Sequence, residues 1–240
     1  MKYEYGQWYM QGVSRSHPDR LKNPEELIAY VDRVGFLPLF GNEIDGFSVE
    51  DRVCPSDWWT EDPECDPWEW RGIAARSGRV AYGKFFGKKA GFVSLEWLPY
   101  LINWRRDGYD FDSRYEEGLA KRREQLIMQL FAQQEALPSN EIRSLAGFGK
   151  GGERNFSGIV TDLQMQTYLT IRDFRRRKNK RGQEYGMAVT IYTTPESLFG
   201  AELVTSAYHE EPEESRQRIL EHLQKTFPDA SPGEITEVLG

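Results

Sequence analysis

Apolar residues recur at helical spacing in some stretches and alternate in others, and the punctuation between them is clear. Over residues 24–34, Leu27, Ile28 and Val31 form a helical stripe. Asn23 can cap it, Pro24 fits the first helical position, Glu25 and Glu26 favour the positive end, and Gly35 stops it. Residues 36–50, broken by Pro38, Gly41 and Gly46, read as an ordered loop. The next stretch sets Trp58, Trp59, Trp68 and Trp70 among prolines and acids, and side chains that bury so much area do not form a linker. Within it, DPWEWRGIAARSG predicts a helix capped by Asp66, with Pro67 in its first turn and Gly78 at its end. RVAYGKFF and KAGFVSLEW flank Gly87-Lys88 and predict a hairpin over 79–95. LEWLPYLINWRR reads as helical, DGYDFDSRYEEG as a loop.

From Leu119 the pattern is most organised. Leu119, Leu126, Ile127, Leu130 and Phe131 share one helical face, and Leu137-Pro138 ends that helix. SNEIRSLAGF gives a short second helix with Ile142, Leu145 and Ala146 apolar. After the glycine-rich loop GFGKGGERN, Phe156, Ile159, Val160 and Leu163 define a third. The period then drops to two in YLTIRDF, and AVTIY returns from Ala188 as a second strand. Three helices followed by a hairpin is the order of a winged helix-turn-helix. The third helix would enter a major groove, with Asn155, Ser157, Thr161, Asp162, Gln164 and Gln166 on its exposed face. A tail helix over 212–226 carries Ile219, Leu220 and Leu223, with Phe227 just beyond, and is expected to pack on the winged helix or form a dimer contact. The fold class is α+β and mainly helical. An aromatic-rich α+β region (1–112) precedes the winged helix-turn-helix (113–200), and a C-terminal helix and tail (201–240) follow.

Charge changes this picture most. The 240 residues carry a formal net charge of −7, which alone argues against nucleic acid. Its distribution argues the other way: residues 114–182 hold 14 Lys and Arg against 8 Asp and Glu, so the positive charge is concentrated there. Six of the seven residues in 175–181 are basic. Arg175, Arg176, Arg177, Lys178, Lys180 and Arg181 are therefore the candidate phosphate contacts on duplex DNA, joined by Lys150 and Arg154 of the glycine-rich loop. A basic hairpin tip also serves as a solvated turn that deters edge pairing. A non-catalytic transcriptional regulator and a protein-interaction module with an acidic partner remain alternatives.

Other chemistry is sparse. Cys54 and Cys65 belong to no CxxC, and His17, His209 and His222 lie in no metal-ligand spacing, so no metal and no cofactor is expected. Asp107, Asp110 and Asp112 read as helix-capping and loop carboxylates rather than a metal loop. The loop GFGKGGER fails the phosphate-loop pattern. No apolar run is long enough to span a membrane and the N-terminus lacks a signal-peptide core, so a cytoplasmic protein is expected, its oligomeric state open.

Gln164-Met165-Gln166 ends the third helix. From the residues alone it is an ordinary helix terminus, or a pair of amides able to contact adenine. The chain also resembles a bacterial group of AlkZ-related proteins through GFLPLF, DPWEWR, VAYGKFFGKKAGFVSLEWLPY, RRDGYDFD, AGFGKGGERNFSGIVTDLQMQTYL and YTTPESLFG, over about residues 30–210. More distantly it is similar to the AlkZ/YcaQ-type DNA glycosylases, built from tandem winged helices, whose active motif is Gln, an apolar residue, then Gln or Asp. That resemblance implies Gln164 and Gln166 as catalytic candidates for excising alkylated or crosslinked bases. The motif here stands two-thirds along a short chain rather than near the start of a long one, and one winged helix is legible rather than several.

Overall fold

The computed structural model describes residues 2–4, 6–179 and 181–240. In chain order the elements are β1 (Lys2–Glu4), β2 (Gln7–Tyr9), α1 (Pro24–Val34), β3 (Phe36–Pro38), α2 (Pro67–Ser77), β4 (Val80–Phe86), β5 (Lys89–Ser94), α3 (Leu98–Arg106) and α4 (Phe111–Glu116). There follow α5 (Arg122–Phe131), β6 (Ala136–Pro138), α6 (Ser139–Leu145), α7 (Phe156–Met165), β7 (Thr170–Lys178), β8 (Glu184–Thr193), α8 (Pro195–Phe199), α9 (Ala201–Val204), α10 (Pro212–Thr226) and α11 (Pro232–Leu239). The fold is mixed α+β, with two three-stranded antiparallel sheets beside the small β1–β2 pair.

The expected caps are present. Asn23 accepts from the Glu26 N–H and Asp66 from the Trp68 N–H, each satisfying a donor left open at a helix start. The hairpin β4–β5 turns at Gly87-Lys88, both with positive φ. Several expectations need correction. Residues 36–38 and 136–138 are strands, not loop or helix end, because each pairs with the return strand of a hairpin distant in sequence. The stretch after Arg106 is not all loop: the Asp110 carboxylate accepts from the Ser113 N–H and starts α4. Leu145 is 62% exposed rather than core, since α6 buries only Ile142. The return strand β8 begins at Glu184, before the apolar run, because the basic strand needs a partner along its length.

The two halves repeat one arrangement. In the first, α1, edge strand β3, two 3-10 turns (Glu50–Arg52, Pro55–Asp57), α2 and hairpin β4–β5 follow in order, and the sheet runs β3-β5-β4. In the second, α5, edge strand β6, α6, α7 and hairpin β7–β8 follow, and the sheet runs β6-β8-β7. The halves meet reciprocally. α2 reaches β7 through Arg76 and Asp173 (2.7 Å), α7 reaches β4 through Gln164 and the Lys84 N–H (3.1 Å), and the Thr170 hydroxyl donates to Tyr82 O (3.0 Å) between β7 and β4.

The first sheet is covered on both faces. Leu37, Tyr82 and Phe92 pack with Trp58, Trp70 and Ala74 beneath α1 and α2. Phe36, Ala81 and Val93 pack with α3, α10 and α11. This explains the near-continuous apolar run in β4, since a sheet buried on both sides does not alternate. The C-terminal helix therefore packs on the first half rather than on the second. Asn103 donates to the Ser215 hydroxyl (2.9 Å), His222 stacks on Trp97 with centroids 4.0 Å apart, and Phe47 meets Phe227 at 4.4 Å. The second half has its own core of Ile127, Leu137, Ile142, Ile159, Leu163 and Leu169. Among the described residues no helix is long and apolar enough to cross a membrane.

Candidate nucleic-acid interface

Helix α2 buries Trp70, Gly72, Ala74 and Ala75, which leaves Trp68, Arg71 and Arg76, three and eight positions on from Trp68, along one outward side. That side faces the β7–β8 hairpin across a groove of about 700 Å3 lined by Arg71, Arg76, Phe174, Arg175, Arg176 and Met187 among others. Glu69 also lines it. Gly72 lies at the floor of the approach, where a Cβ would be in ordinary contact with the Phe174 ring at 3.5 Å.

The guanidinium of Arg71 is fixed in orientation. It lies 3.5 Å from the Trp68 ring centroid and 4.1 Å from that of Phe174, and its Nε donates to Trp68 O at 2.7 Å. Burial lowers its pKa, and the adjacent Tyr82 opposes that shift. Tyr82 is itself pushed up to about 12 by burial, so it stands as a neutral phenol there. Asp173 organises two further cations: its carboxylate accepts from Arg76 (2.7 Å) and from Arg175 Nε (2.9 Å), and from the Phe174 N–H. Burial raises the Asp173 pKa, but hydrogen bonds from Arg76, Arg175 and Phe174 outweigh it and hold the carboxyl below the ordinary value.

The sequence-predicted cations are divided by this geometry. Arg175 and Arg176 line the groove, while Arg181 is exposed in the hairpin turn. Arg177 and Lys178 belong to β7 by backbone pairing, and Lys180 lies outside the described residues. Lys150 and Arg154 are exposed on the loop before α7, away from the groove lining. In that loop Glu153 is held by Arg122 (2.6 Å) and Arg123 (2.7 Å). Among the described residues no cluster could hold a metal ion. From the sequence the Trp-rich segment reads as core rather than as an aromatic platform for a base, and Arg71 and Arg76 of α2 do not stand out. Their signal was available in the i, i+3 spacing of Trp68 and Arg71 around a buried Trp70.

Helix α7 differs from the expectation for its outer face. Asn155 and Ser157 are exposed, but Thr161 is 8% and Gln164 1% exposed, because β4 covers that side. The Gln164 amide is fully used: Oε1 accepts from the Lys84 N–H, and Nε2 donates to Val160 O at 3.1 Å. The Met165 sulfur accepts from the Lys88 N–H, and Arg105 donates to Met165 O (3.1 Å) and Leu239 O (2.7 Å). Burial brings the Arg105 pKa down to about 10. Gln166 donates to Glu124 at 3.3 Å, and its buried Oε1 has no partner. Neither glutamine lines the groove.

The profile of the AlkZ-related family matches residues 21–240, nearly the whole chain, and the chain belongs to that family. No curated protein matches it.

Proposed function

We propose that this AlkZ-related protein binds duplex DNA, using two winged-helix units in tandem and the β7–β8 hairpin as the basic wing. The observation that carries the reading is the hairpin itself. It presents Arg175, Arg176 and Arg181 to solvent at one edge of an acidic protein, with Arg71 and Arg76 of the other half beside it. The family relation supports it through the winged-helix glycosylases that the sequence resembles. Such a surface contacts phosphates, which position a protein without reading sequence. The covered middle of α7 limits base readout from that helix to its first turn, so the reading favours a backbone binder over an operator-specific regulator.

Fluorescence anisotropy with unrelated duplexes is the test. Binding at low salt is expected, with log K falling linearly as log salt rises, and with similar affinity for each sequence. No binding at low salt would remove the reading and favour a protein partner. Strong preference for one duplex would favour the regulator.

A second reading, base excision at the Gln164-Met165-Gln166 motif with Gln166 as the acting residue and Gln164 fixing the helix end, rests on the family relation and on one observation, the unpartnered acceptor of Gln166. A duplex carrying an alkylated purine, cleaved at abasic sites with alkali, tests it. Base release lost in Gln166→Ala supports this reading, and none from the wild type dismisses it.

A further inference from the structure

The reciprocal packing of the halves creates two corresponding spaces, one between α7 and the β4–β5 hairpin and one between α2 and the β7–β8 hairpin. The first is filled by the chain. Arg105 enters it from α3 and bonds to Met165 O and Leu239 O, the Gly87 N–H donates to Leu239 O (3.2 Å), and a Cβ on Gly240 would lie 3.2 Å from the Met165 methyl. The second is the open groove of about 700 Å3, and it is where the arginines converge.

We propose that this groove binds a segment of single-stranded nucleic acid, a proposal that rests on the DNA-binding reading and names what this part of the surface takes. Size is the first argument. The volume falls in the range of pockets that enclose small ligands, about 300–1,000 Å3. It suits a few nucleotides of one strand and is too small to enclose a duplex, which would lie against the exposed Arg175 and Arg176 at its rim. Charge is the second. Among the described residues no carboxylate forms an ion pair with Arg71 or Arg176, whereas Arg76 and Arg175 share Asp173. With Glu69 counted, the groove keeps a positive surplus for phosphodiester oxygens. Preorganisation is the third. Arg71 is clamped between two aromatic rings, so its planar donor edge meets a phosphate without losing side-chain freedom. Met187, 90% exposed, with Ala188 beside it, gives the groove an apolar side whose polarizable thioether can contact the face of an unpaired base.

The test compares a labelled strand of about 12 nucleotides with its duplex, by anisotropy, on the full chain. Arg71→Lys keeps the charge and loses the fixed fork, so strand affinity is expected to fall about tenfold while duplex affinity holds. Glu69→Gln removes a negative charge without touching the core and is expected to raise strand affinity alone. Arg181→Ala, at the hairpin turn, is expected to weaken the duplex more than the strand. Wild-type protein that binds duplex and not strand overturns the groove proposal and leaves the DNA reading standing. So do groove variants that shift strand and duplex equally. Wild-type protein that binds neither overturns both.

Discussion

Trp70→Ala is expected to lower the unfolding free energy by about 3–5 kcal/mol, the range for removing a large aromatic side chain from a packed core. The indole, on the inner side of α2, is fully buried, and its N–H donates to Glu64 O at 2.8 Å. Truncation leaves a cavity in the core cluster that holds Trp58, Leu27, Ala74 and Tyr82, and removes the hydrogen bond to the turn before α2. The effect extends to function, because Trp68 and Arg71 project from the same helix. Strand binding in the groove is expected to weaken at temperatures where the variant is still folded. Urea unfolding followed by tryptophan fluorescence measures the first part, and a loss below about 1 kcal/mol, typical of a surface substitution, would contradict the placement of Trp70.

The second large effect separates the two glutamines of Gln164-Met165-Gln166. Gln164→Ala is expected to destabilise the fold by about 2–3 kcal/mol, since it removes the acceptor of the half-buried Lys84 N–H and empties part of the α7–β4 contact. Gln164→Leu, which keeps the volume, should still cost about 1–3 kcal/mol for the unpaired donor. Gln166→Ala removes a single long hydrogen bond to Glu124 and an acceptor that was never paired. It should change stability by about 1 kcal/mol or less. Equal losses at both positions would contradict the division between a bridging amide at Gln164 and one with an unpartnered acceptor at Gln166.

That division was not legible in the sequence, where both residues stand alike at the end of an amphipathic helix. What placed them apart is β4, eighty residues earlier, whose Lys84 N–H points at position 164. Local signals were readable wherever one residue answers a neighbour: Asn23 and Asp66 as caps, Gly35 and Gly78 as stops, the turn at Gly87-Lys88. Three-residue strands such as Phe36–Pro38 and Ala136–Pro138 have too few positions to show a period. They exist because a distant hairpin offers its edge. For the same reason the first half concealed its likeness to the second: its two 3-10 turns stand where the other half has α6, and its doubly buried sheet erases alternation. The basic segment was plain from charge alone. Its partner across the groove, Arg71 between Trp68 and Phe174, joins residues about a hundred positions apart and needed the fold to be seen.

The central claim is that the β7–β8 hairpin holds duplex DNA through its phosphates, and the slope of log affinity against log salt tests it most directly. Replacing Arg175, Arg176 and Arg181 together by Ala should make that slope shallower by about three, one released counterion for each lost contact. The weakening should be the same on every duplex. A slope that stays at the wild-type value would contradict the claim, because the hairpin cations would then not be where the DNA is bound.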